Sequence, residues 1–203
     1  MNYLAHLCLS GNKEEILIGN YIGDSLKGIS TEKFSKEIQL GIKLHRFIDD
    51  FTDHHPVFIS SKRLFTPTMD KYSGVVTDIF YDHFLALHFD EIMREKLPAF
   101  SERCYTIINK HYALLPEKAR QFYHYMTDNN ILLNYAKEKG IKKVLSGMSY
   151  RIQNRCDLTL AIPVFHQHFS ELEKDFLLFF PEIKKSCSDF LEKFHTNDSQ
   201  LKS

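Results

Sequence analysis

This sequence predicts an all-α fold in a single domain, and three observations carry that prediction. Apolar residues recur at three- and four-residue spacing along most of the chain, the repeat that lines one face of a helix. No stretch alternates apolar and polar residues as a half-buried strand does. Glycine is scarce, at eight in 203 residues, and no repeat, low-complexity tract or Gly/Ser linker divides the chain. Hydrophobic residues make up 43%, enough for one sizeable core. We assign residues 1–196 to one helical bundle and expect 197–203, which are polar, to form a flexible tail.

The elements follow in order. Gly19 and Gly23 flank Asn20 and precede Asp24, with Gly28 beyond, so the backbone there can approach closely whatever Asp24 touches. Thr31 and Ser35 precede acidic residues and suit the cap of a following helix. Ile38, Ile42, Leu44 and Ile48 form an apolar stripe on that helix, and Pro56 ends the region. Val75, Ile79, Phe80, Phe84 and Leu87 give the next helix a buried face. Phe122, Tyr125 and Met126 space a helix after Pro116, and Asn129–Asn130 reads as its break or cap. Leu172, Phe176, Phe179 and Phe180 pattern a late helix that Pro181 interrupts or kinks, with Ile183, Phe190 and Phe194 continuing it.

Composition narrows the function. Lys+Arg and Asp+Glu balance at 26 each, so no global charge draws the chain to nucleic acid or an anionic membrane. No apolar run is long enough to cross a bilayer, and the N-terminus lacks both a basic leader and a sustained apolar stretch, so no signal peptide is expected. Cys8, Cys104, Cys156 and Cys187 are scattered and form no CxxC pair, as expected of reduced thiols in the cytoplasm. No phosphate-binding loop, dinucleotide fingerprint or nucleophile motif occurs.

Eleven histidines are many for this length. In GIKLHRFIDDFTDHHP, His45, Asp49 and Asp53 recur every fourth residue and share one helix face. In DIFYDHFLALHF, Asp78 and Asp82 repeat that spacing, with His83 adjacent. Single His/Asp pairs are common on solvated faces. The Asp82-His83 doublet instead sits among residues that read as buried, where charged groups need partners. Two helices aiming such groups at a common interior suggest a divalent cation between them, and mixed imidazole and carboxylate ligands suit Mn²⁺ or Fe²⁺ better than Mg²⁺. Asp82 and His83 diverge by about 100° on a helix, so one would ligate while the other orients water or phosphate. His6, in YLAHLCL, reads equally as a hydrogen-bonded core histidine or as a group in the site. His88 faces either the same pocket or solvent. Asp50, His54, His55 and Asp70 read as surface groups, and His111, His124, His166, His168 and His195 as structural or surface ones.

Together MNYLAHLCLS, GNYIGDSLKG, GIKLHRFIDDFTDHHP and DIFYDHFLALHF resemble, in that order, the bacterial acyl carrier protein phosphodiesterase family, regarded as relatives of the HD-domain metal-dependent phosphohydrolases. LLPEKAR and GMSYRIQNR extend the likeness more thinly. The resemblance implies an HD-like helical bundle. It implies hydrolysis of the phosphodiester linking 4′-phosphopantetheine to a serine of holo acyl carrier protein, with Mn²⁺ the favoured metal and Fe²⁺ or Mg²⁺ as alternatives. Its pattern points to Asp24, His45, Asp49, Asp82 and His83. His45, Asp49 and Asp82 are then the expected ligands, and Asp24 a further ligand or the base that orients water. His83 is expected to protonate the departing serine oxygen or to bind phosphate. Arg46 is a candidate phosphate contact, and His6, Asp53 and Asp78 are expected to support the pocket. The order Asp82-His83 departs from the His-Asp of HD domains, and Phe89 stands near a position where the family often has tryptophan. An acidic carrier protein implies a basic dock, for which Arg151, Arg155, Lys142 and Lys143 are the best patch. Two other readings keep a metal site: an HD-like phosphohydrolase for a small nucleotide or phosphomonoester, and a non-catalytic helical metal-binding protein.

Overall fold

In the computed structural model, residues 1–26, 28 and 30–200 are described, the last six by backbone alone. Twelve α-helices make up the described chain: α1 Tyr3–Cys8, α2 Glu14–Ile22, α3 Lys36–His54, α4 Pro56–Met69, α5 Ser73–Leu87, α6 Phe89–Met93, α7 Leu97–Lys110, α8 Glu117–Asp128, α9 Ile131–Asn134, α10 Glu138–Arg151, α11 Ala161–Gln167 and α12 Phe169–Gln200. Short 3-10 turns join several of them, and no strand occurs among the described residues. The all-α, single-domain expectation holds.

One core spans the bundle. Phe80 of α5 lies between Phe65 of α4 and Phe165 of α11, with ring centroids 5.3 and 4.1 Å away. Tyr81 meets Phe176 and Phe179 of α12, and its hydroxyl joins Ser61, which donates to Asp175 at 2.7 Å. Burying each such aromatic contributes about 1.5–3 kcal/mol, and the shared Ser61 leaves the phenol oxygen satisfied. Phe89 is buried and packs 5.0 Å from Phe100.

The helix signals read from the sequence act where expected in several places. Ser35 caps α3 by accepting from Ile38 N at 3.2 Å, and Ile38, Ile42, Leu44 and Ile48 are all buried. Asn130, with φ +46°, turns the chain after α8. Others act differently. Pro56 opens α4 as well as closing off α3, since a first-turn proline loses no helical hydrogen bond. Pro181 sits inside α12 without ending it. Leu87 is 45% exposed, because α5 ends there and its last turn has left the core. His55 is not a surface group: its ring packs edge-on against Phe179 at 4.9 Å. The α12 backbone runs to Gln200, so the tail expected at 197–203 begins inside a helix, while 201–203 and the His195 side chain lie outside the described residues.

What positions the site is the crossing of α2 over α3. Gly19 and Gly41 meet there, and a Cβ on either would fall 2.8 Å from the other's Cα. Only two glycines permit backbones this close. The crossing sets Asn20, one residue past Gly19, against His45, four residues past Gly41.

Candidate metal centre

Four segments converge on a small notch of about 40 Å³: α1 brings His6, α2 brings Asn20, the turn after α2 brings Asp24, and α3 brings His45 and Asp49. That is room for roughly three water-sized occupants. His6 and His45 stack at 4.2 Å. Gly23 makes space for the second ring, since a Cβ there would press on the His45 imidazole. His6, His45 and Asp49 each turn a ligand atom inward, all within 4.8 Å of one another.

Asn20 determines the chemistry of both rings. Its amide NH₂ donates to the His6 carbonyl at 2.7 Å and to Ser10 Oγ at 2.9 Å, while Ser10 donates onward to the same carbonyl. With its NH₂ so committed, Asn20 Oδ1 is the acceptor that meets His6 Nδ1 at 2.8 Å and His45 Nδ1 at 3.2 Å. Both Nδ1 atoms must then carry hydrogen, and both Nε2 atoms present lone pairs to the notch.

Those lone pairs face carboxylates. His6 Nε2 lies 3.2 Å from Asp49 Oδ1, and His45 Nε2 lies 3.4 Å from Asp49 Oδ2 and 3.7 Å from Asp24 Oδ1. His45 Nε2 is buried with no hydrogen-bond partner among the described residues. Burial pushes the His6 imidazole below its ordinary range, outweighing the pull of the adjacent Asp49 carboxylate on a proton, so no second proton settles there at neutral pH. Burial would raise the Asp49 carboxyl, but the His6 and His45 side chains beside it hold it below its ordinary range, so it stays ionised. Two imidazole lone pairs opposed to an anionic oxygen repel one another unless a cation lies between. The donor set therefore fits a divalent metal of the kind that takes mixed nitrogen and oxygen ligands. The Nδ1–H bonds to Asn20 are the outer hydrogen bonds that orient imidazole ligands.

The remaining sequence candidates fall elsewhere. Asp82 is not brought to the notch. It is fully buried beneath the start of α1, accepting from Leu4 N at 2.7 Å and from Asn2 N and Ala5 N at 3.3 Å each. A carboxylate at a helix N-terminus meets free N–H groups and the positive end of the dipole, which satisfies it without a metal. His83 donates from Nδ1 to the Tyr135 carbonyl at 2.6 Å and packs edge-on against Phe165, so it clamps α5 to the chain after α9. Asp78 pairs with the Met1 ammonium at 2.8 Å, and Asp53 is exposed beside a different groove with Lys62. Arg46, one residue past His45, is exposed and lines no part of the notch. His88 pairs with Glu173 at 2.8 Å. The basic patch loses its premise. α10 stops at Arg151, and Gln153 and Asn154 take positive φ, so Arg155 is not one helical turn beyond Arg151. Lys142 and Lys143 are exposed on α10, whereas Arg151 borders a second cavity with Tyr3. Asn20, which the sequence marked only as a residue between two glycines, is the group that joins the site.

Residues 1–183 match the family described as Acyl carrier protein phosphodiesterase. Proteins bearing that name from Photorhabdus laumondii, Yersinia pestis and Yersinia enterocolitica are 32, 31 and 30% identical to the chain. The matches span 92–93% of this chain and 96–98% of those proteins. No solved structure matches it. No described helix is long and apolar enough to cross a membrane. The match over nearly the whole length places this chain in the acyl carrier protein phosphodiesterase family.

Proposed function

We propose that the chain hydrolyses the phosphodiester joining 4′-phosphopantetheine to a serine of holo acyl carrier protein, releasing the apo protein, with a divalent cation held by His6, His45 and Asp49. The observation that carries this is the facing of two imidazole lone pairs and an ionised carboxylate across one notch, in a chain of this family. Asp24, at the open side with 42% of its side chain exposed, completes the set as a further ligand or as the base that orients water. Once bound, such a cation lowers the pKa of water and draws charge from a non-bridging phosphoryl oxygen. The mixed ligands favour Mn²⁺, with Fe²⁺ next and Mg²⁺ third.

The chain's own residues prepare the chemistry. Asn20 anchors both imidazoles by Nδ1 and turns both Nε2 atoms, the nitrogens that would ligate, to the notch. Asp82 fixes the start of α1 and thereby the position of His6 one turn on. Ligands from separate helices, with histidine and aspartate one turn apart on α3, support kinship with the HD-domain phosphohydrolases. The free thiols suit a reducing compartment, and we place the protein in the cytoplasm.

Mass spectrometry of holo acyl carrier protein incubated with the Mn²⁺-loaded chain tests the proposal. Loss of the phosphopantetheine mass is expected; an unchanged mass, with the metal shown to be bound, refutes it.

A further inference from the structure

A second cavity, of about 320 Å³, opens against the metal notch. Asn2 and Tyr3 line both, so the two adjoin across these residues. Its walls come from α8, α9 and α10 and are almost wholly apolar: Phe122, Ile131, Tyr135, Val144 and Met148 face it. Tyr3 is the partition, stacked on Phe122 with centroids 4.0 Å apart. Gly147 keeps the floor open, because a Cβ there would reach the Tyr125 hydroxyl at 2.6 Å. Tyr150, 78% exposed, and Arg151, the one charged residue among the described lining, also border it. The guanidinium lies close enough to the Tyr3 hydroxyl to oppose the rise that burial gives that phenol, and it pairs with no carboxylate among the described residues.

We propose that this chamber seats the pantetheine limb of the substrate and that Arg151, beside the Tyr3 that both cavities share, holds the phosphate; the inference rests on the reaction proposed above. A phosphodiester at the notch has two limbs. One is a serine on a folded protein, too bulky to enter the recess. The other is thin, flexible and uncharged, with a gem-dimethyl group, two amides and a thiol. A chamber of this size with apolar walls and tyrosines accepts only the second. The phosphate between the limbs then falls where Tyr3 separates the cavities, within reach of an arginine whose planar donors fit phosphate oxygens. Arg151 thereby becomes a phosphate-binding residue rather than part of a protein-docking patch.

Calorimetric titration of the Mn²⁺-loaded full chain with pantetheine and with 4′-phosphopantetheine tests this. Met148→Trp and, independently, Val144→Phe fill the chamber and are expected to weaken both ligands by at least about tenfold. Arg151→Gln is expected to weaken only the phosphorylated ligand, by about tenfold. Circular dichroism and metal content identify any variant that has failed to fold. Unchanged affinities in both folded fillers overturn the chamber, and equal weakening of both ligands by Arg151→Gln overturns the role of that residue. Release of phosphopantetheine from holo carrier protein, followed in parallel, separates the two proposals. Binding in the chamber without release counts against the reaction, and release at the wild-type rate by both fillers counts against the chamber.

Discussion

Substituting Gly19 by alanine should damage the metal centre without touching any residue that lines it. The new Cβ would fall inside the van der Waals shell of the Ile38 carbonyl oxygen and 2.8 Å from the Gly41 Cα. Carbon atoms rest at about 3.5–4.0 Å, so α2 and α3 must part by roughly 0.7 Å or more, and neither obstacle is a flexible side chain that can swing aside. Forcing a packed contact apart costs about 1–3 kcal/mol, which for a chain of this size lowers the melting temperature by roughly 2–12 °C. The chemical effect is larger. Asn20 moves with α2 and His45 with α3. Their 3.2 Å hydrogen bond then stretches to about 3.9 Å and is lost, while the bond to His6 survives. Freed of Asn20, His45 can place hydrogen on Nε2, which cannot ligate. Loss of such an outer hydrogen bond typically weakens metal binding 10–100-fold. Thermal unfolding by circular dichroism and calorimetric Mn²⁺ titration measure both effects. Gly74→Ala is the control, because its Cβ meets only the Lys62 side chain at 3.6 Å; it should hold or raise stability. If Gly19→Ala melted and bound Mn²⁺ like the parent chain, the account of the crossing would be wrong.

Other perturbations separate ligands from supports. His6→Ala and Asp49→Ala should each lower bound metal, measured by elemental analysis after dialysis, by more than tenfold while the helical dichroism is kept. Asn20→Leu removes the shared acceptor, strands two Nδ1–H groups and leaves the His6 carbonyl only the Ser10 hydroxyl; it should destabilise by about 2–4 kcal/mol in urea and lose metal as well. Asp82→Ala should cost about 3–5 kcal/mol, because it leaves the first N–H groups of α1 buried and unpaired, and its damage to turnover should follow its loss of fold. Burial pushes the Asp82 carboxyl from 3.8 up to about 7, against the Met1 ammonium and the N–H groups of Leu4 and Ala5. The folded state thus keeps a proton that the unfolded chain has released, and stability should fall as pH rises from about 4 to about 7, by at most about 4 kcal/mol. Asp78, also raised, and His6, lowered, titrate in the same window, so the test compares urea unfolding of the parent and Asp82→Asn at both ends; equal pH dependence would sink this assignment.

The sequence discloses a helix face more readily than it discloses what that face meets. His45 and Asp49 sit together because four residues make one turn, a local fact, and they do share the notch. Asp24 was legible through its glycine-rich surroundings, although the close approach there serves His45 and the α2–α3 crossing. Asp82 and His83 looked like ligands because charged groups inside an apolar run need partners. That inference was sound about the need and wrong about the partner. Backbone N–H groups at a helix start and a single carbonyl satisfy them, and those donors and acceptors leave no mark in side-chain spacing. His6 and Asn20 lie 14 residues apart on different helices, so no periodicity links them. Only a buried asparagine following a glycine in an otherwise apolar helix hinted at the second.

The placement of Asp82 explains why two motifs so far apart in the chain belong to one function. α1 has six residues, too few to hold a helix by its own hydrogen bonds, yet it must present His6 to within about an ångström. Its first N–H groups are therefore taken by a carboxylate on α5, a 15-residue helix buried in the core, and one turn later its carbonyl and ring are gripped by Asn20 on α2. The short helix is fixed at both ends by longer ones. A carboxyl group suits this place because its two oxygens accept from several N–H groups at once. It follows that replacing Asp82 and replacing His6 should act on metal binding through one path. The double variant should lose little more metal affinity than His6→Ala alone, whereas two independent ligands would lose the sum of their separate effects.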